Sequence, residues 1–476
     1  MESFGHVIAG EEIASADGTT FESVDPWTRE PWATVALGSA GDAGRAVRAA
    51  RSAFDEGPWP RMSFAERGAI MHRLADLVEK HVDELAAADT ADMGKPITQT
   101  AGHDVPRAAR NFRFFADHAQ ITPAETFPMP AGHHAYTQYD PAGVVAAIAP
   151  WNFPLMMASW KVAPALAWGN TVVLKPAEQS PASATILARL AIEAGLPSGV
   201  LNVVHGFGPN SVGQALTESP LVDRITFTGE SATGRLISRA AAANLTPVSL
   251  ELGGKGANIV FADADLDQAV DWSIRAIFSN SGQVCLAGSR LYVQREVYDE
   301  FLARFTAAAD ALVLGDPKDQ ATQIGPLSSH EHFTKVAGYL DIATAAGARL
   351  HTGGLGEGWA VRPTVVVDAG QRDRVTQEEI FGPVVVVLPF DDEAEAVTAA
   401  NDTPYGLNAM LFTQDLSRAH RVARALRVGT VWANCFFVRD LRAPFGGAKN
   451  SGVGREGGTY SREFFTEPKA VIMEIS

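Results

Sequence analysis

Between residues 143 and 251, apolar runs alternate with stretches of helical spacing. The strand candidates are V-V-A-A-I-A, T-V-V-L, V-L-N-V-V, R-I-T-F-T and V-S-L-E-L; helices are expected near 155–168, 181–194, 209–217 and 231–242. A strand without a polar side needs cover on both faces, and helical crossovers make such strands parallel. The pattern predicts a doubly covered parallel sheet. This is a Rossmann-like layout, a platform for a dinucleotide at the carboxyl ends of the strands.

The second half repeats the theme less regularly. Strands are expected near 289–294, 364–367, 383–389, 408–412 and 429–433, and helices near 265–280, 296–312, 329–346 and 415–426. It reads as a second α/β domain, as a chain of 476 residues requires more than one core. Residues 5–37 carry short alternating segments and turns, an N-terminal β region. Residues 40–90 are Ala-rich with helical spacing, broken near G-P-W-P, and a further helix is expected from about His103 to Ala119. A Pro-rich run then leads into A-Y-T-Q-Y-D-P-A-G, whose alternation suits an extended arm.

A net charge of −16 argues against nucleic-acid and anionic-membrane partners, which need a basic surface. No apolar stretch is long enough to span a bilayer, and M-E-S-F-G-H does not start a signal peptide. With only two cysteines no disulfide framework is possible, so a reducing, cytoplasmic setting is expected. His133-His134 and His330-Glu331-His332 lack the spacing of a metal site, and no metal is expected.

One of the two cysteines, Cys285, sits in S-G-Q-V-C-L-A-G. A lone cysteine is commonly buried and inert, but a nucleophilic thiol needs a flexible, accessible setting like this one. Glu251 lies between leucines in V-S-L-E-L-G-G-K, where an ionised carboxylate is costly unless used or paired. A raised pKa there suits a general base. Asn152, in A-P-W-N-F-P, follows an apolar strand; it is a turn residue or an oxyanion donor. Lys175 and Glu178 follow another strand and can grip a ribose, although alone they read as a charged turn. F-T-G-E-S-A-T-G opens a helix, and free backbone amides at such a start suit a phosphate.

Together these stretches resemble the aldehyde dehydrogenase superfamily. The match runs through P-W-N-F-P (150–154), L-K-P-A-E (174–178), F-T-G (227–229), L-E-L-G-G-K (250–255), G-Q-V-C (282–285), E-E-I-F-G-P-V (378–384) and P-F-G-G-x-K-x-S-G-x-G-R-E (444–456), in the family's order. The resemblance implies Cys285 as nucleophile, Glu251 as general base, and Asn152 with the backbone N–H of Cys285 as oxyanion hole. It implies NAD as cofactor, with Lys175 and Glu178 at the adenosine ribose and Glu379 at the nicotinamide ribose. Trp151 and Phe381 are implied as cofactor contacts, and Lys161 and Gly229 as other positions of the nucleotide cleft. Glu178 favours NAD over NADP, because a carboxylate facing the ribose hydroxyls repels a 2′-phosphate. Glu230 departs from the common pattern, in which Ser frequently follows F-T-G; it is expected to point away from the phosphates.

The architecture so implied is an aldehyde dehydrogenase fold. A Rossmann-like NAD-binding domain takes 1–120 and 142–251, and an α/β catalytic domain takes 252–446. A small β oligomerisation element takes 121–141 and 447–476, which implies a homodimer or homotetramer. Arg107, on the helix implied to line the substrate tunnel, and Arg439 and Arg442, in V-R-D-L-R-A-P-F-G-G, put cations where the family has apolar residues. Guanidinium groups clamp carboxylates. The expected substrate is an aldehyde with a distant carboxylate, of the 2-hydroxymuconate or 2-aminomuconate semialdehyde type, which that loop and Glu230 also resemble. A broad-specificity aldehyde dehydrogenase and a non-catalytic NAD-binding protein on the same fold remain as alternatives.

Overall fold

The computed structural model describes residues 1–475. Its largest sheet runs in the order Gly452–Val453, Val248–Leu252, Arg224–Gly229, Val144–Ile148, Thr171–Lys175, Leu201–Val203, His6–Ile8, Glu11–Ile13. The five central strands are mutually parallel, and antiparallel strands close both edges. Val144–Ile148 and Thr171–Lys175 are buried at every position, which explains their unbroken apolar sequence. From Val144–Ile148 the chain first adds strands on one side, then crosses to add Arg224–Gly229 and Val248–Leu252 on the other. That reversal creates a crevice at the carboxyl ends of Val144–Ile148 and Arg224–Gly229.

The second sheet has seven strands in the order Arg349–Leu355, Val361–Val367, Val384–Phe390, Arg290–Gln294, Ala257–Val260, Asn408–Phe412, Thr430–Ala433. All pairs are parallel except the first. The expected strands and helices of this half are present. Ala257–Val260 and Arg349–Leu355 were not expected: the first follows directly on a glycine turn, and the second is an edge strand with two glycines at positive φ, Gly353 and Gly354.

The extended arm His133–Pro141 pairs along its whole length with Thr466–Glu474, and Thr126–Phe127 completes a three-stranded sheet. Gly452–Val453, grouped from sequence with this third element, instead pairs with Leu250 and Glu251 in the first sheet. The helix expected from His103 begins at Val105, behind a five-residue π turn over Thr100–Asp104. Among the described residues, no helix is long and apolar enough to cross a membrane.

Candidate active site

Asn152 lies in the turn after Val144–Ile148, just before the helix Pro154–Ala167. It is buried, and its Nδ2 donates to the Gln283 carbonyl at 2.8 Å. Its own carbonyl accepts from Asn280 Nδ2 at 2.8 Å. These two bonds tie the cofactor-side turn to the loop that carries Cys285 and leave one amide hydrogen of Asn152 free. That loop is unusual backbone: Asn280 (φ 51°), Ser281 (φ 54°) and Gly282 (φ 72°) are all left-handed. A Cβ on Gly282 would lie 2.1 Å from the Gly382 carbonyl oxygen, so only glycine fits. Cys285 itself is half-buried and unpaired. Burial first, then the negative charges of Glu379 and Glu251, push its thiol up to about 12.

Glu251 reaches the same space from Val248–Leu252. It is buried, and neither carboxylate oxygen has a hydrogen-bond partner. Burial, followed by the charge of Glu456, raises its pKa well above the ordinary glutamate value. Arg439, Lys161 and Arg455 oppose that rise. A Cβ on Gly446 would come within 2.6 Å of Glu251 Oε1, so the first glycine of P-F-G-G keeps the space beside the carboxylate open.

Glu456 was not singled out from sequence, although it closes the longest quoted motif. It accepts from Trp160 Nε1 at 2.6 Å, Thr226 Oγ1 at 3.1 Å, and Lys161 Nζ and Ser249 Oγ at 3.4 Å. Lys161, expected in the nucleotide cleft, is instead fully buried between Thr226 and Glu456.

On the cofactor side, Lys175 ends its strand and donates to Pro176 O at 3.1 Å and Glu178 Oε2 at 3.4 Å. Gly229 ends Arg224–Gly229, and Glu230 is the N-cap of the helix Ser231–Ala242. Its side chain makes no cap bond and turns away to Lys335 Nζ, 2.9 Å distant. The first amides of that helix are therefore left without a side-chain cap at the mouth of the crevice, as a diphosphate requires. Glu379 Oε1 accepts from Gly254 N at 2.9 Å, and burial raises its pKa to about 7. Phe381 is left-handed (φ 63°), and its carbonyl bonds His332 Nε2 at 2.7 Å. Trp151 meets the Phe381 ring at 5.3 Å and the His332 ring at 5.0 Å. Sequence reasoning dismisses His330-Glu331-His332 as a metal site and takes it for a solvated loop; His332 is instead buried on the helix His330–Ala345, where it braces an aromatic wall. Among the described residues no three potential ligands gather into a metal site. The carboxylates of Glu178 and Glu379, the uncapped helix amides after Gly229 and an aromatic wall form a donor set that fits a nicotinamide dinucleotide.

The arginines divide. Arg107 is buried, and only its Nε is bonded, to Asn111 Oδ1 at 3.1 Å. Arg439 lies between two rings, Trp160 at 4.9 Å and Phe445 at 3.9 Å, with Nη2 buried and unpartnered. Burial, and then the neighbouring Arg439 charge, lower the Arg107 pKa to about 10. Neither guanidinium makes an ion pair among the described residues. Arg442, grouped with them from sequence, does not join them. It is 72% exposed in its side chain and pairs with Asp440, Nη2 to Oδ2 at 2.6 Å. The Asp440 carboxylate two residues before it satisfies it at the surface.

Comparison with known proteins supplies an independent line. The model of the aldehyde dehydrogenase family matches residues 13–471. A 2-hydroxymuconic semialdehyde dehydrogenase of Pseudomonas sp. (strain CF600) is 48% identical over 487 residues, covering 100% of both chains. The mitochondrial benzaldehyde dehydrogenase of Antirrhinum majus is also 48% identical, covering 98% of this chain and 88% of that one. The crystal structure of an indole-3-acetaldehyde dehydrogenase complexed with NAD+ matches at TM-score 0.98 and 45% identity, covering 100% and 97%.

Proposed function

The chain belongs to the aldehyde dehydrogenase family, and from that premise we propose how this NAD-dependent aldehyde dehydrogenase works and what it oxidises. Cys285 Sγ attacks the aldehyde carbon and forms a thiohemiacetal. The free hydrogen of Asn152 Nδ2 and the Cys285 N–H hold the developing oxyanion. Glu379, Trp151 and Phe381 would hold the nicotinamide end of NAD, which would supply the hydride acceptor needed to convert the thiohemiacetal on Cys285 to a thioester. Glu251 then removes a proton from water, the water attacks the thioester, and the carboxylate product leaves. Glu251's raised pKa and bare oxygens support the role of base. Glu178 and Lys175 hold one ribose and Glu379 the other. Trp151 and Phe381 flank the nicotinamide, and the amides after Gly229 hold the diphosphate.

The substrate is a semialdehyde with a carboxylate at its far end, of the 2-hydroxymuconate or 2-aminomuconate type. The observation that carries this is two buried guanidiniums, Arg107 and Arg439, neither in an ion pair, with the Arg439 charge acting on Arg107. The Arg439 charge acts on both Cys285 and Glu251, so the pair lies within reach of the thiol. Two neighbouring cations, neither in contact with an acid, are stabilised by a bound carboxylate. The test is NADH formation with 2-hydroxymuconate semialdehyde, hexanal and benzaldehyde, for the wild type and Arg107→Ala. Preference for the semialdehyde, lost in the variant, is expected. Equal oxidation of benzaldehyde, unchanged by the variant, would replace this reading with an aromatic or broad specificity. NAD binding without turnover of any aldehyde would revive a non-catalytic role.

A further inference from the structure

Glu230 and Lys335 face each other across the cofactor cleft. Glu230 lies at the turn between the strand Arg224–Gly229 of the first sheet and the helix Ser231–Ala242, and Lys335 lies on His330–Ala345 beside the second sheet. An acid at an N-cap commonly bonds its own helix amides. Glu230 does not; its Oε1 accepts from Lys335 Nζ at 2.9 Å. The helix bearing Lys335 also bears His332, which fixes the Phe381 carbonyl and meets Trp151 edge-on. The pair's charges reach the ribose carboxylate: Lys335 lowers and Glu230 raises the pKa of Glu379. The same two charges act on His332, and Glu230, with Glu379 and Arg235, acts on Tyr405.

We propose that Glu230 is a positioning residue that holds Lys335 across the mouth of the cofactor cleft, so that the pair must open each time NADH leaves. This rests on the reading that NAD occupies that cleft. The pair joins the wall with the phosphate-binding helix start to the wall with the ribose carboxylate and the aromatic cluster. Bonding Lys335 also directs the Glu230 charge away from the diphosphate, which removes the conflict of an acid beside an anion.

The experiment is stopped-flow release of bound NADH, followed by its fluorescence during a chase with excess NAD. It uses the full-length wild type, Glu230→Gln, Lys335→Gln and the double variant. Glu230→Gln is expected to speed release about two- to fivefold, the range open to an exposed ion pair. In the Lys335→Gln background the same change is expected to have no further effect, which a merely structural role of Glu230 would not produce. An unchanged release rate in Glu230→Gln would overturn the proposal, as would equal acceleration in both backgrounds. Failure of the wild type to bind NADH would overturn the cofactor reading and this proposal with it, whereas binding with unaltered release would overturn this proposal alone.

Discussion

Two buried carboxylates, Glu251 and Glu456, act on each other in the centre of the molecule, and they are provided for in opposite ways. Glu456 has four hydrogen-bond donors, one of them a lysine. Glu251 has none. A buried carboxylate with partners holds structure together; one without partners carries a cost that only use explains. The difference favours Glu251 for the proposed role of base, a distinction their burial alone, 3% against 6% exposure, does not make.

The sharpest test is to neutralise each in turn. Glu251→Gln is expected to lower steady-state turnover about 10²- to 10⁴-fold, the range of a general base, with the unfolding midpoint in urea little changed. Glu456→Gln is expected to show the reverse emphasis. It leaves the Lys161 ammonium buried without its carboxylate partner, and loss of one charge of a buried pair costs about 3–5 kcal/mol, read by urea unfolding. A Glu456 variant as stable as the wild type but as inactive as Glu251→Gln would break the comparison.

The same comparison predicts a pH dependence. Glu251 is held above the ordinary range and the Cys285 thiol sits at about 12, so the active, deprotonated forms grow as pH rises. Activity should climb from neutral to alkaline pH. The Glu456 charge pushes the Glu251 pKa up, so in Glu456→Gln the rising limb should move to lower pH. A pH–rate profile for both proteins decides it; a flat wild-type profile, or a shift the other way, would contradict the electrostatics.

Smaller effects separate the arginines. Arg439→Met is expected to cost about ten- to a hundredfold in kcat/KM for the carboxylated semialdehyde and little for hexanal, as for loss of a charged hydrogen bond. Removing the Arg439 cation also lets the Glu251 pKa rise, so the alkaline limb should move up. Arg442→Ala is expected to change neither kcat/KM nor the urea unfolding midpoint, because it removes only an exposed pair with Asp440.

What could be read from sequence follows from what burial does to composition. Strands covered on both faces, such as Val144–Ile148, have no polar side and were plain in the sequence. The edge strand Arg349–Leu355 alternates between exposed and half-buried positions and includes two glycines, so its pattern dissolved. Cys285, Glu251 and Asn152 could be singled out as candidates because each sits in a short local motif. The cradle of Glu456 was not, because Trp160, Lys161, Thr226 and Ser249 converge from three separate stretches of chain. Arg439 and Arg442 looked alike at three residues' spacing, and Asp440 between them was the signal that one would be neutralised at the surface.

The left-handed turn before Cys285 bears on the order in which the protein is made. Asn280 and Ser281 hold a backbone conformation that costs about 1–3 kcal/mol per residue unless the surroundings impose it. What imposes it comes from far away: the Asn152 carbonyl bonds Asn280 Nδ2, the Gly325 carbonyl bonds Ser281 Oγ, and the Gln99 side chain bonds Asn280 N. Until those segments have met, nothing holds the turn. A nascent or half-folded chain therefore carries an ordinary cysteine, and the setting of the proposed nucleophile forms only when the rest of the molecule is complete.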